Sequence, residues 1–225
     1  MRTSSLLSAL TVFAAVGVAP VAPATASTAG SCSLRVPARI AINSPYQAVK
    51  VSLGPNCAAA GVVDAYWTAY HPVAGGAAFA AFETKARTGV VDVYDFDPLG
   101  RWSWRPSGAF GDGSEPIAQN SLTSMVKVAS WSGLKASRAG AKVTLTVSAA
   151  RYAASLDRLV GWAAATGQLQ YKVPGTTTWK PLKSVRTTNT GHYTYTYTMP
   201  TPRDYRAVFP TTSLIWNTTT PTTRK

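Results

Sequence analysis

Apolar and polar residues alternate with a period of two along most of this chain, and that pattern commits it to extended strands. Val143-Thr-Leu145-Thr-Val147, Leu169-Gln-Tyr171-Lys-Val173 and Tyr193-Thr-Tyr195-Thr-Tyr197 each put their large apolar side chains on one face. Val49-Lys-Val51-Ser-Leu53 and Trp102-Ser-Trp104 do the same in the first half. Turn-forming residues punctuate the runs: Gly54-Pro55-Asn56, Gly75-Gly76, Asp97-Pro98-Leu99-Gly100, Ser137-Arg138-Ala139-Gly140, Pro174-Gly175 and Asn189-Thr190-Gly191. Only Ala77–Thr84 and Ala153–Arg158 could hold a helical turn. The expectation is an all-β chain with two antiparallel β-sandwiches in tandem, because its strands are too many for one.

Charge divides the chain in the same place. The whole sequence of 225 residues carries a formal +13. Seven basic and seven acidic residues balance between Ser27 and Met125, whereas Val126 to Lys225 holds fourteen basic residues against Asp157 and Asp204. A composition step of that size predicts a neutral domain over 27–124 and a basic domain over 125–225.

Residues 1–26 read as a secretory signal to be removed on export. Arg2 precedes an uncharged apolar stretch from Leu6 to Ala19, and Ala24-Thr25-Ala26 supplies a small-residue cleavage site before Ser27. That stretch, broken by Pro20 and Pro23, is too short to span a bilayer. The expected mature protein is secreted and extracellular, either released or held at a wall only by non-covalent contacts. An exported chain with two cysteines is expected to join them, Cys32 to Cys57. The alternative is lipid attachment at Cys32, after Ala29-Gly30-Ser31.

Two segments echo one another. Asp97-Pro-Leu-Gly100-Arg-Trp102-Ser-Trp104 and Thr188-Asn-Thr-Gly191-His-Tyr193-Thr-Tyr195 both place Gly-x-aromatic-x-aromatic after a polar turn, like the corner before strand F of immunoglobulin domains. The second half, through Leu169-Gln-Tyr171-Lys-Val-Pro-Gly175-Thr-Thr-Thr-Trp179, Thr188–Tyr193 and Tyr205-Arg-Ala-Val-Phe209, resembles immunoglobulin-like modules of secreted proteins from high-GC Gram-positive bacteria. The first half, through Tyr66-Trp67-x-Ala-Tyr70-His71-Pro72 and Trp104-Arg-Pro-Ser-Gly108-Ala109, is similar to domains that precede such modules. The resemblance implies spacer, adhesion or binding roles and transfers no catalytic residue.

No nucleophile elbow, metal-protease helix, phosphate loop or cofactor motif occurs, so no catalytic residue and no cofactor is expected. His71 and His192 read as loop and strand-end residues. A small hydrolase or inhibitor is the outlying alternative, its site among the acidic residues of the first half. The acidic cluster Asp92-Val-Tyr-Asp95-Phe-Asp97, with Asp112 nearby in sequence, is expected to form turns and balance Arg101 and Arg105. Calcium ligation by Asp95, Asp97 and Asp112 is its alternative reading.

The basic half is the main functional signal. Lys127, Lys135, Arg138, Lys142, Arg151, Arg158, Lys172, Lys180, Lys183, Arg186, Arg203 and Arg206 make a field of one sign, suited to anionic polymers. The expected partner is an anionic cell-wall polymer or surface glycan. No sequence-specific nucleic-acid motif accompanies the charge. A carbohydrate-binding module is the alternative, with Tyr193, Tyr195 and Tyr197 as a stacking stripe or, on the plainer reading, as core.

Overall fold

The computed structural model describes residues 30–225, so the expected signal segment and its cleavage site lie outside the described residues. Seven strands of four or more residues build the first sandwich: β1 (Arg39–Ile42), β2 (Tyr46–Leu53), β3 (Asp64–His71), β4 (Gly75–Phe82), β5 (Thr88–Tyr94), β6 (Gly100–Phe110) and β7 (Leu122–Val128). One sheet runs β1-β7-β6-β3-β4, with β1 and β7 parallel and the other pairs antiparallel. The other sheet joins Leu34–Arg35, β2 and β5. The N-terminal segment therefore pairs first in one sheet and then, past Pro37, in the other.

Three tryptophans fill the space between these sheets. Trp67 on β3 and Trp102 and Trp104 on β6 are fully buried. A buried indole N–H needs an acceptor, and each has one. Trp67 Nε1 donates to Asn120 O at 2.9 Å, Trp102 Nε1 to Pro98 O at 2.8 Å, and Trp104 Nε1 to Ser124 Oγ at 3.1 Å. Phe82 meets Trp67 edge-on, with centroids 6.3 Å apart.

Two local readings need correction here. Ala77–Thr84 holds no helical turn; Gly75–Phe82 is the edge strand β4, with Ala80 and Phe82 buried. Alanine on both faces of that run hides its period of two. Among the described residues the one α-helix, α1 (Pro55–Ala59), lies where the sequence reads as a plain turn. It buries Cys57, which is disulfide-bonded to Cys32. The bridge removes Cys32 from lipid attachment, and closing a loop of 25 residues contributes about 3 kcal/mol in the chain-entropy model.

The second sandwich comprises β8 (Ser130–Ala139), β9 (Lys142–Ala153), β10 (Arg158–Gly161), β11 (Thr166–Lys172), β12 (Lys180–Arg186), β13 (His192–Thr198) and β14 (Asp204–Phe209). In one sheet β9 pairs with β8 along one edge and with β13 and then β10 along the other. The other sheet runs β12-β11-β14, with Thr218–Thr219 and Thr223–Arg224 completing it beside β14. Val143, Leu145 and Val147 meet Leu169, Tyr205, Ala207 and Phe209 in a separate core. A 3-10 turn at Ala154–Leu156 occupies the other stretch that could hold a helical turn. Both halves are immunoglobulin-like sandwiches.

The internal echo does not mark equivalent strands. Gly100 opens β6, in the middle of the five-stranded sheet, whereas Gly191 opens β13, which pairs with β9 in the opposite kind of sheet. What the two segments share is local: both glycines have positive φ, +127° and +83°. A side chain at Gly191 would also come within 2.3 Å of Ala149 O.

The strand that completes the first sandwich crosses the expected division at residues 124 and 125. β7 continues to Val128, its Val126 is buried in the first core, and only Ala129 separates it from β8. Lys127 is 8% exposed because the 212–216 segment of the second half covers that face: its ammonium donates to Thr212 O and lies 5.2 Å from the Trp216 ring. Arg39 stacks on the same ring at 4.1 Å and donates to Asn217 Oδ1, while Trp216 Nε1 donates to Ile40 O at 2.8 Å.

Tyr152 anchors the other side of the junction. It belongs to β9 yet is buried in the first core, where its hydroxyl donates to Asp95 Oδ2 at 2.9 Å. Burial, then the Asp95 carboxylate, pushes this phenol up to about 12. An acid whose folded pKa is raised stabilises the fold below its unfolded value, about 10, and that stability is lost as pH climbs toward the folded value. Between pH 10 and 12 the melting temperature of Tyr152→Phe should fall less steeply than that of the parent protein. Equal slopes would assign the alkaline loss to other groups.

Candidate binding surfaces

The basic residues of the second half separate into cations held by the fold and cations presented to solvent. Lys127 is withdrawn from the predicted polyanion surface, since an ammonium enclosed between the halves meets no external polymer. Arg138 is engaged by backbone oxygens: it donates to Met199 O at 2.6 Å and to Thr201 O and Lys225 O, each at 3.1 Å. Arg203 is half-buried and donates to Pro202 O at 3.0 Å. Arg151, half-buried, donates to Tyr152 O at 3.3 Å. Lys172 and Arg206 flank Trp179, at 5.3 Å and 4.3 Å from its ring, and Arg206 Nε also donates to Gln170 Oε1 at 2.8 Å.

Lys135, Lys142, Arg158, Lys180, Lys183 and Arg186 are exposed. Lys180, Lys183 and Arg186 lie on β12, the edge of its sheet, together with Pro181 and a register shift in the pairing with β11. Cations, a proline and a bulge on an edge strand oppose strand pairing with a second chain. Of the two acids of the second half only Asp157 is exposed, beside Arg158 in sequence. Asp204 is buried, takes two hydrogen bonds from Arg224 at 2.7 and 3.2 Å, and lies 3.9 Å from Lys172. The Arg224 hydrogen bond holds its carboxyl below the usual range. Asp157 sits at the left-handed turn that closes the 3-10 segment, next to the junction.

The acidic residues of the first half are dispersed among separate partners. Asp95 serves Tyr152, Asp97 accepts from Tyr94 N at 2.8 Å, and Asp112 pairs with Lys85 at 3.3 Å. Asp95 and Asp97 lie in the turn after β5. Burial raises the Asp97 carboxyl above its ordinary value. Among the described residues no three acidic, histidine or cysteine side chains converge as a metal cage would require, so the calcium candidates are not brought together. Asp64 accepts from Thr84 N, Asp92 from the Tyr46 hydroxyl and Glu83 from the Tyr66 hydroxyl.

His71 closes the turn after β3. Its Nδ1 accepts from Val73 N and Ala74 N, which leaves Nε2–H to donate to Leu99 O at 3.0 Å. His192 is exposed, 3.1 Å from Ser148 Oγ, in the other half.

The tyrosine stripe of β13 faces inward. Tyr193, Tyr195 and Tyr197 pack against the second core, and the Tyr197 hydroxyl donates to the Tyr205 hydroxyl at 2.8 Å. Burial raises the Tyr197 phenol far above its ordinary value. Exposed aromatic rings gather instead on the first sandwich, where Tyr46, Tyr94 and Phe96 form a contiguous set. No motif marks them in sequence, because Tyr46 and Tyr94 meet only through the pairing of β2 with β5.

Among the described residues no helix is long and apolar enough to cross a membrane. No protein-family model and no curated protein matches the chain. Among solved structures, a cytokine receptor complex is similar over 85% of this chain and 94% of its own, at 11% identity and a TM-score of 0.40. The D0-D1 domain of intimin is similar over 86% of this chain and 96% of its own, at 15% identity and a TM-score of 0.28. The human OSCAR ligand-binding domain is similar over 88% and 99%, at 14% identity and a TM-score of 0.27. The assignment to immunoglobulin-like sandwiches rests on the strand order and the two cores, not on these likenesses.

Proposed function

We propose that this is a secreted, non-catalytic binding protein whose basic half docks on an anionic cell-surface polymer. The observation that carries the reading is the large excess of exposed cations on the second sandwich. Five of its exposed cations, Lys135, Lys142, Lys180, Lys183 and Arg186, have no ion-pair partner among the described residues, and one of its two acids is buried and paired. A surface of one sign attracts a polyanion and hastens the encounter without needing a shaped pocket. The phosphate- or carboxylate-rich polymers of a Gram-positive wall have the matching chemistry.

Replacing those five residues by glutamine tests the reading. The variant should retain the parent's circular dichroism and melting temperature, since the five side chains lie on the surface. Its retention on purified cell wall at low salt should fall at least tenfold. Unchanged retention would reduce the basic half to a solubilising and edge-protecting charge.

A further inference from the structure

The outer face of the smaller sheet of the first sandwich carries a second surface, independent of the basic half. β2 and β5 pair antiparallel, and their outward residues form cross-strand rows: Tyr46 with Tyr94, Ala48 with Asp92, Lys50 with Val90, and Ser52 with Thr88. The rows extend about 20 Å at the usual strand rise. One end is aromatic. The Tyr46 and Tyr94 rings lie 5.4 Å apart, and Phe96, 78% exposed, stacks on Tyr94 at 5.1 Å and 13°. The other end is a groove of about 700 Å³, a size that suits a small ligand. Val51, Gly89 and Val90 line it, and Lys50, Ser52, Thr88 and Arg35 border it. The crossover at Val36–Pro37 walls one side.

Three features of this face select a class of ligand. The rings are fixed by one another, and the Tyr46 hydroxyl is held by Asp92 at 2.9 Å, so they present a preformed apolar platform rather than a slot. Aromatic faces of this kind stack on the C–H faces of sugar rings. Asp92, in the next row, is an acceptor for sugar hydroxyls and repels phosphate. Arg35 and Lys50 are exposed and have no carboxylate partner among the described residues, so the far end is complementary to an anion.

We infer that this strip binds a glycan that alternates neutral and uronic-acid sugars. A neutral unit rests on Tyr46, Tyr94 and Phe96 beside Asp92, and a carboxylate further along the chain reaches Lys50 and Arg35. A single-stranded nucleic acid shares the need for rings and cations, but it carries a phosphate at every unit, so one would always lie beside Asp92, whereas this glycan carries a carboxylate only at every second unit.

The probe is a hyaluronan oligosaccharide of defined length, titrated calorimetrically against residues 27–225, with its carboxyl-reduced, neutral counterpart and oligothymidylate as comparisons. Phe96→Ala and Tyr94→Ala should weaken both oligosaccharides at least tenfold at every salt concentration. Lys50→Gln with Arg35→Gln should weaken the acidic oligosaccharide alone, and the five-glutamine variant of the basic half should bind like the parent. Phe96 and Arg35 lie on the surface, so far-ultraviolet circular dichroism and the melting temperature should not change. Absence of oligosaccharide binding at millimolar concentration would overturn the assignment. So would affinity untouched by the aromatic replacements, or equal binding of oligothymidylate lost by the same replacements.

Discussion

Trp67→Ala is expected to unfold the first sandwich while the second keeps its structure. Trp67 has no exposed surface, and truncating a buried tryptophan to alanine costs about 3–5 kcal/mol. Phe82 loses the ring it meets edge-on, and the half-buried Asn120 O loses its donor. A lost hydrogen bond of this kind adds about 0.5–1.5 kcal/mol. The sum approaches the whole stability of an ordinary domain, about 5–15 kcal/mol. The second sandwich has its own core around Leu145, Leu169 and Phe209, which touches none of these residues. Calorimetry of the variant should show the first sandwich melting about 15 °C or more below the parent, separately from the second. A single transition displaced by only a degree or two would contradict the packing described for Trp67.

The second large effect is expected at the junction. Trp216→Ala removes the indole that Arg39 covers, the hydrogen bond to Ile40 O and the ring beside the Lys127 ammonium. Lys127 keeps Thr212 O, but its charge loses the aromatic face that compensates for burial at 8% exposure. The loss should be about 2–4 kcal/mol, and it falls on the coupling between sandwiches more than on either core. Trp216→Ala should therefore split unfolding into two transitions and broaden the small-angle scattering distance distribution, with each core's near-ultraviolet signal retained. Trp216→Phe keeps a ring but no N–H donor, so it should lie between the parent and the alanine variant. A single sharp transition in Trp216→Ala would show that Tyr152 and the β7–β8 link suffice.

The strands were legible because one buried face imposes a period of two, and the two cores follow the runs that alternate most cleanly, such as Val143–Val147 and Trp102–Trp104. The disulfide was legible from the export expected of the chain and from the count of cysteines. What escaped depends on contacts between segments remote in sequence. Lys127 alternates with Val126 and Val128 like any solvent-facing residue, and nothing local announces that Thr212 and Trp216 will cover it. The aromatic platform is equally silent, since Tyr46 and Tyr94 are neighbours only across a strand pair. β4 escaped for a compositional reason: Gly-Gly-Ala-Ala-Phe-Ala-Ala-Phe has little contrast between its two faces. The shared Gly-x-aromatic-x-aromatic pattern misled because a positive-φ glycine and an alternating strand recur wherever a turn enters a sheet. The basic half was plain in composition, but which cations reach solvent was decided by backbone acceptors such as those around Arg138.

The central claim is that the basic half docks by charge, and a salt series on purified anionic wall polymer tests it directly. Screening reaches about 8–10 Å at physiological ionic strength, so retention of residues 27–225 should fall steeply between low and physiological salt and vanish above it. The five-glutamine variant should start lower and lose less. Retention that survives high salt, or that is the same for the parent and the variant, would contradict docking by charge and leave the aromatic platform of the first sandwich as the binding surface.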